Sequence, residues 1–316
     1  MIDFDFLDQG VRGLANAHKA GTMAGHLGAA VAAGYFIGED HSEWAPEVFV
    51  GVAGELKRIL AGEEAIWWNA KKAGVSPADL FQALPKGGPR PAQIDSIVET
   101  LRQNVGETRQ SGHNIIFASI AVRALRDHPE FATPAIIEGV RKLIAGFNSQ
   151  HAGRGYYGKP EGWKTGAQVT VKTDDGFVPY KDIPEMVAVT LDELIATAPT
   201  KKQGFGGLWH IVNHAAAIVE LDRHGYGEVA QLALPAHHHH IRLWRSLPDV
   251  ESELGAVGKS THDPRDPAYW VGMLKRDEAR LTHRIKTLYG YYTIRNFVES
   301  ADKKNQTDDA FLYLMD

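Results

Sequence analysis

Two stretches of this chain carry nearly the same text 87 residues apart. The first runs Gly25-His26, an apolar stretch, then DHSEWAPEVFVGVAGELKRILAG to Gly62. The second runs Gly112-His113, an apolar stretch, then DHPEFATPAIIEGVRKLIAGF to Phe147. In both, a second histidine (His41, His128) follows the first by 15 residues. A looser copy opens at Trp209-His210 and closes at Asp222-Arg223-His224, with a spacing of 14. Such self-similarity marks stacked helical hairpins, each burying its apolar face on the next. It also sets a histidine at the same station of every copy, so several can converge on one spot.

The expected fold is all-α: helical-hairpin repeats closed, or nearly closed, into an α/α toroid, with one small β-hairpin insertion. Residues 1–316 are read as a single repeat domain with units at about 25–62, 112–147, 209–247 and 266–298. Pro46 and Thr133-Pro134 supply helix starts, and Val48, Val52, Leu56, Ile59 and Leu60 form an apolar stripe. Further helices are expected at 92–104, 184–197, 207–223, 226–247 and 266–298. Pro235 should kink or divide the fourth of these and Gly290 should bend or break the last. The stretch 150–182 is the exception. Alternation over Ala167–Lys172, the turn signal Asp174-Asp175-Gly176 and Phe177–Tyr180 predict a β-hairpin within a long loop, read as a lid.

Composition narrows the function classes. With 44% hydrophobic and 23% charged residues the chain can bury a substantial core. Its net charge of −5, with no basic run longer than a pair, argues against nucleic acid as a partner. The absence of cysteine removes disulfides, thiolate nucleophiles and Cys-type zinc sites together. The N-terminus is acidic where a signal peptide is basic, and no apolar stretch approaches the roughly 18 residues of a membrane span. A cytoplasmic protein without a membrane partner is the expectation, and self-association stays open.

The chemistry is expected from His26, His113, His210 and His283, which open helical runs. Helix N-termini present unpaired N–H groups and partial positive charge, which favour anions and disfavour imidazolium. Neutral imidazole ligates metals or acts as a base. His210 and His214 share a helix face at i, i+4, but Ile211 follows His210 where a zinc protease motif requires Glu. The metal set read from the sequence is His26, His113, His210 and His214, for Zn, Fe or Mn; metal-free acid–base use by the same histidines stays open. Lys19, Arg109, Arg154, Tyr156, Tyr157 and Trp163 are the expected substrate-binding residues. The second histidines lie about 21 Å along each helix from the first and read as helix-end punctuation. The run His237–His240 points four ways on a helix and reads as mixed packing and solvent positions. Phosphate loops, Gly-x-Ser-x-Gly elbows, EF-hands, DDxxD and ExxH motifs are missing from the sequence, and the glycine spacing of Gly153-Arg-Gly-Tyr-Tyr-Gly falls inside the inserted loop rather than between a strand and a helix, as a dinucleotide fingerprint requires.

These features point to an enzyme on a small polar, anionic substrate, with histidines as ligands or acid–base groups in lyase, hydrolase or isomerase chemistry. Two other readings stay open: a non-catalytic repeat scaffold that binds a peptide or protein, and a haem or flavin protein using Trp67-Trp68.

Overall fold

Helix starts fall where proline and capping residues place them in the computed structural model of the chain, which describes residues 1–173, 176–272 and 280–316. Helix Pro46–Leu60 begins at its proline. Thr133 caps Pro134–Ala145 by accepting from the Ile136 N–H, and Asp182 caps Ile183–Thr197 through the Glu185 N–H. Among the described residues there are fifteen α-helices and one two-stranded sheet, so the class is all-α. No described helix is long and apolar enough to cross a membrane.

The chain divides into two units. The first comprises Met1–Leu101, Phe117–Phe147 and His262–Tyr289. Its centre is the close approach of helix Asp5–Asn16 to helix Gly25–Asp40, built on small residues. A Cβ on Gly28 would fall on the backbone of Gly13 and Leu14. Helix Gly25–Asp40 is buried on nearly every side, which its Gly/Ala-rich sequence permits. Gly28→Ala is therefore expected to destabilise the protein by about 1–3 kcal/mol, although alanine is ordinarily the better helix former. Gly88→Ala, where nothing lies within 4 Å of the added carbon, should change stability by less than about 0.5 kcal/mol. Urea denaturation of the two variants checks this, and equal midpoints would refute the close-packing account.

The second unit comprises Arg102–Ile116, Asn148–Thr261 and Gly290–Asp316. Helices Gly207–Arg223 and Gly227–Arg245 pack as a hairpin, and Ile183–Thr197 lies against both. Pro235 sits inside the continuous helix Gly227–Arg245 and does not divide it. Gly290 lies within helix Leu281–Arg295, which does not break there. The space a side chain would need at Gly290 is taken by the Asn213 amide, so this glycine serves packing. The expected helix 266–298 consists of Pro267–Trp270 and Leu281–Arg295, while 273–279 lie outside the described residues.

The sheet falls inside the expected insertion but upstream of the expected strands. Arg154–Tyr156 pairs antiparallel with Trp163–Thr165, in the register Arg154↔Thr165 and Tyr156↔Trp163. The turn residues Asp174 and Asp175 lie outside the described residues, and the flanks Ala167–Lys172 and Phe177–Tyr180 form no strand. Their carbonyls have other partners. Arg242 donates to the carbonyls of Lys172 and Phe177, and His238 Nε2 donates to that of Val178 at 2.9 Å. Side chains of helix Gly227–Arg245 thus occupy acceptors that a second strand would need.

Candidate functional site

Two loops of the second unit are held in a conformation that side chains rarely adopt. The helix that begins at His113 is entered through Gln110 (φ 42°), Ser111 (φ 58°) and Gly112 (φ 83°). Helix Gly207–Arg223 is entered through Gly204 (φ 133°), Phe205 (φ 47°) and Gly206 (φ 75°). Among the described residues, Gln110, Ser111 and Phe205 are the non-glycine positions with positive φ. Each costs about 1–3 kcal/mol and persists only where its surroundings impose it. The inserted segment supplies those surroundings. The Gln110 and Ser111 N–H groups donate to the carbonyls of His151 (2.7 Å) and Ala152 (2.8 Å). The Phe205 N–H donates to the Arg154 carbonyl at 2.7 Å, and the Tyr156 N–H to that of Gln203 at 2.8 Å.

The strained loops aim carbonyls at histidines. The Gln110 carbonyl accepts from His113 Nδ1, and the Gly206 carbonyl accepts from His210 Nδ1 at 2.5 Å. A carbonyl only accepts, so both Nδ1 atoms carry protons, and in the neutral rings both Nε2 atoms are bare. Those Nε2 atoms face each other at 3.0 Å, with both rings buried. Two lone pairs at that distance repel unless a proton or a cation lies between them.

A third imidazole is fixed by the same logic. The Phe205 carbonyl accepts from His240 Nε2 at 2.7 Å, which leaves His240 Nδ1 as an acceptor. That atom lies 3.2 Å from His214 Nδ1, so His214 donates there and keeps its own Nε2 bare. Burial, reinforced by neighbouring histidines, pushes the His214 pKa well below the usual histidine range. Burial likewise pushes His237 down to about 3 and His240 down to about 4. These three rings are neutral at pH 7. His237 bonds the Ile211 carbonyl and the Tyr180 hydroxyl, both at 3.2 Å.

No family model, no curated protein and no solved structure matches the chain. Geometry alone supports any assignment.

In the first unit His26 is packed by Trp67 (ring centroids 4.5 Å), His283 (5.0 Å) and Phe117 (5.5 Å). Its Nδ1 lies 2.5 Å from the ammonium nitrogen of Lys286, a residue 2% exposed. Burial pushes the Lys286 pKa down to about 7, partly opposed by the nearby Glu64 carboxylate. This arrangement can hold or pass a proton between amine and imidazole. Within this unit the His26 and His283 rings lie side by side, centroids 5.0 Å apart, and each offers ring nitrogens.

Several expected substrate-binding groups carry structural bonds. Lys19 donates to the Asn16 side chain at 2.7 Å. Arg109 donates to the Gln150 carbonyl at 2.7 Å and pairs with Glu107 at 2.9 Å. Tyr156 donates to Glu253 at 2.8 Å, and Arg154 lies over Trp163, its guanidinium 5.8 Å from the ring centroid. Tyr157 meets Ser246 at 2.7 Å; the serine proton goes to the Leu243 carbonyl, so Tyr157 donates. The second histidines end helices: His41 stacks on Trp44 at 4.3 Å, His128 meets Glu39 at 2.9 Å, and His224 donates to the Glu220 carbonyl at 2.7 Å.

Sequence reasoning missed His237, His240 and Lys286. The signal for the first two was their i, i+3 spacing within the four-histidine run, which shares one helix face. Lys286 stands at the same spacing from His283, but only packing reveals that it is buried.

Proposed function

We infer that the chain is an enzyme acting on a small, anionic substrate, with His113 and His210 as ligands of a divalent metal, Zn, Fe or Mn. One observation carries this reading: two bare Nε2 atoms face each other at 3.0 Å, each with its Nδ1–H committed to a carbonyl of a strained loop. Two nitrogens bound to one tetrahedral zinc stand about 3.3 Å apart, given Zn–N bonds of about 2.0–2.1 Å. An Nδ1–H held by a backbone carbonyl is the usual orienting bond behind a ligating imidazole. Two protein ligands leave positions for water and for an oxygen of the substrate, and the metal there would lower the pKa of bound water and polarise that oxygen. A negative substrate also suits a site at two helix starts. His214, one turn beyond His210 and bare at Nε2, is the proposed acid–base partner. His26 and His283 keep, in the first unit, the role of ligand or acid–base group that their sequence positions suggest. In this reading the copied hairpin is the device that sets a histidine at each helix start.

A metal-free reading rests on the same 3.0 Å separation, which also suits a proton shared between the two rings. Titration of Co(II) into chelator-treated protein separates the two. The metal reading expects saturable uptake with visible d–d bands and displacement by Zn(II). If Co(II), Zn(II), Fe(II) and Mn(II) all fail to bind, that reading falls. A strongly downfield, exchange-protected proton resonance would then support the shared proton.

A further inference from the structure

A second candidate site lies in the second unit, in a cavity of about 530 Å³ that none of the histidines lines. Among the described residues, four cations, Lys164, Lys172, Arg242 and Arg245, border it against one acid, Glu161. Lys164 is paired with Glu161 and Arg245 with Glu193, so cations outnumber acids among the described lining residues. Arg245 commits only its Nε, to Glu193 at 2.7 Å, and its planar face to Phe177 at 4.1 Å. Its two terminal nitrogens and the Lys172 ammonium have no partner among the described residues.

Gln168 adds a neutral donor. Its side-chain oxygen accepts from the Thr165 N–H (2.9 Å) and hydroxyl (3.0 Å), which fixes the amide and leaves its NH2 group uncommitted. Arg242 spends donors on the carbonyls of Lys172 and Phe177 and so holds the wall in place while adding charge. The Tyr157 phenol donates to Ser246, so it too is wall. The uncommitted groups are thus donors, in a cavity whose described lining residues include more cations than acids.

We propose that this cavity binds a small phosphorylated molecule, its phosphate held by Arg245, Lys172 and Gln168. Ammonium, guanidinium and amide donors lining one cavity match a tetrahedral oxyanion with several acceptor oxygens. A planar carboxylate would satisfy one fork and leave the remaining donors idle. This proposal does not depend on the histidine site.

Isothermal titration with pyrophosphate, in the presence of a chelator at low ionic strength, tests it. Saturable binding is expected at about 1 mM or tighter, weakening as salt screens the charges. Lys172→Gln combined with Arg245→Gln should weaken it about 100-fold, and Gln168→Leu about 10-fold. All three positions are exposed, so the fold should survive, as circular dichroism would show. No saturable heat with the wild-type chain overturns the proposal, as does unchanged binding by the double variant. Tighter binding of citrate than of pyrophosphate overturns the phosphate assignment.

Discussion

Replacing His210 by alanine is expected to weaken divalent-metal binding by at least about 100-fold while the protein stays folded. Loss of an outer hydrogen-bond partner typically costs metal sites 10–100-fold, so loss of a ligand should cost at least the top of that range. The stability change should be modest. His210 gives up its bond to the Gly206 carbonyl and leaves a small buried gap, a loss on the order of 2–3 kcal/mol. His113→Ala should behave alike, because its Nε2 is the other half of the pair. His224→Ala, which removes a helix-end histidine bonded to Glu220, should leave metal binding as it was. Isothermal titration with Zn(II) across the three variants decides the matter. Wild-type affinity in both His113→Ala and His210→Ala would end the ligand assignment.

The largest stability effect is expected at a site without chemistry. Glu55 is fully buried in the first unit, bonded to Arg284 at 2.6 Å and to Arg58 at 3.4 Å. Arg284 is itself buried, so the pair has little water to fall back on. Arg284→Met should cost about 3–5 kcal/mol, since it takes the nearer guanidinium from a buried carboxylate and leaves only the longer contact to Arg58. The double change with Glu55→Leu should recover much of that loss, because the one charge it leaves there, Arg58, keeps its bond to Glu63 at 2.7 Å. Burial already raises the Glu55 pKa above the ordinary carboxylate value, and loss of Arg284 raises it further. A group whose pKa is raised on folding stabilises the fold below its unfolded value, and that contribution fades as pH climbs through the folded value. The Arg284→Met deficit should therefore shrink toward pH 5 and be greatest above neutrality. Urea denaturation at several pH values measures it; a deficit independent of pH would show that Glu55 does not take up the proton.

Local chemistry made much of the helical framework legible. Proline with a capping residue located the starts of Pro46–Leu60, Pro134–Ala145 and Ile183–Thr197 within a residue or so. Period-3.6 apolar spacing located the buried face of Pro46–Leu60 at Val48, Val52, Leu56 and Ile59. The text repeated at Gly25-His26 and Gly112-His113 singled out histidines that both prove buried at helix starts. Spacing along one helix also tied His214 to His210. The strands were misplaced because alternation at Ala167–Lys172 says only that a strand is permitted there. Whether a ladder forms depends on which partner takes the carbonyls, and Arg242 and His238 take several.

The remaining differences share that cause. Gly290 reads as a helix breaker in isolation, yet Asn213 from another helix occupies the space beside it and makes glycine a packing requirement. Within the run His237–His240, spacing puts His237 and His240 on one helix face but does not say that this face turns inward; the Phe205 carbonyl and His214 select His240. Lys286 looks like any surface lysine until Trp67, Phe117 and His26 are brought around its helix. The sequence by itself determined many of the helical segments, though not Asp5–Asn16 or Ala301–Phe311, and where along them the histidines stand, because capping, periodicity and spacing act within a few residues. Only the tertiary structure decided which nitrogen of each imidazole is bare and which charges are buried. Those properties belong to partners up to a hundred residues and more away, such as the Arg154 carbonyl that holds Phe205 at positive φ and so aims a carbonyl at His240.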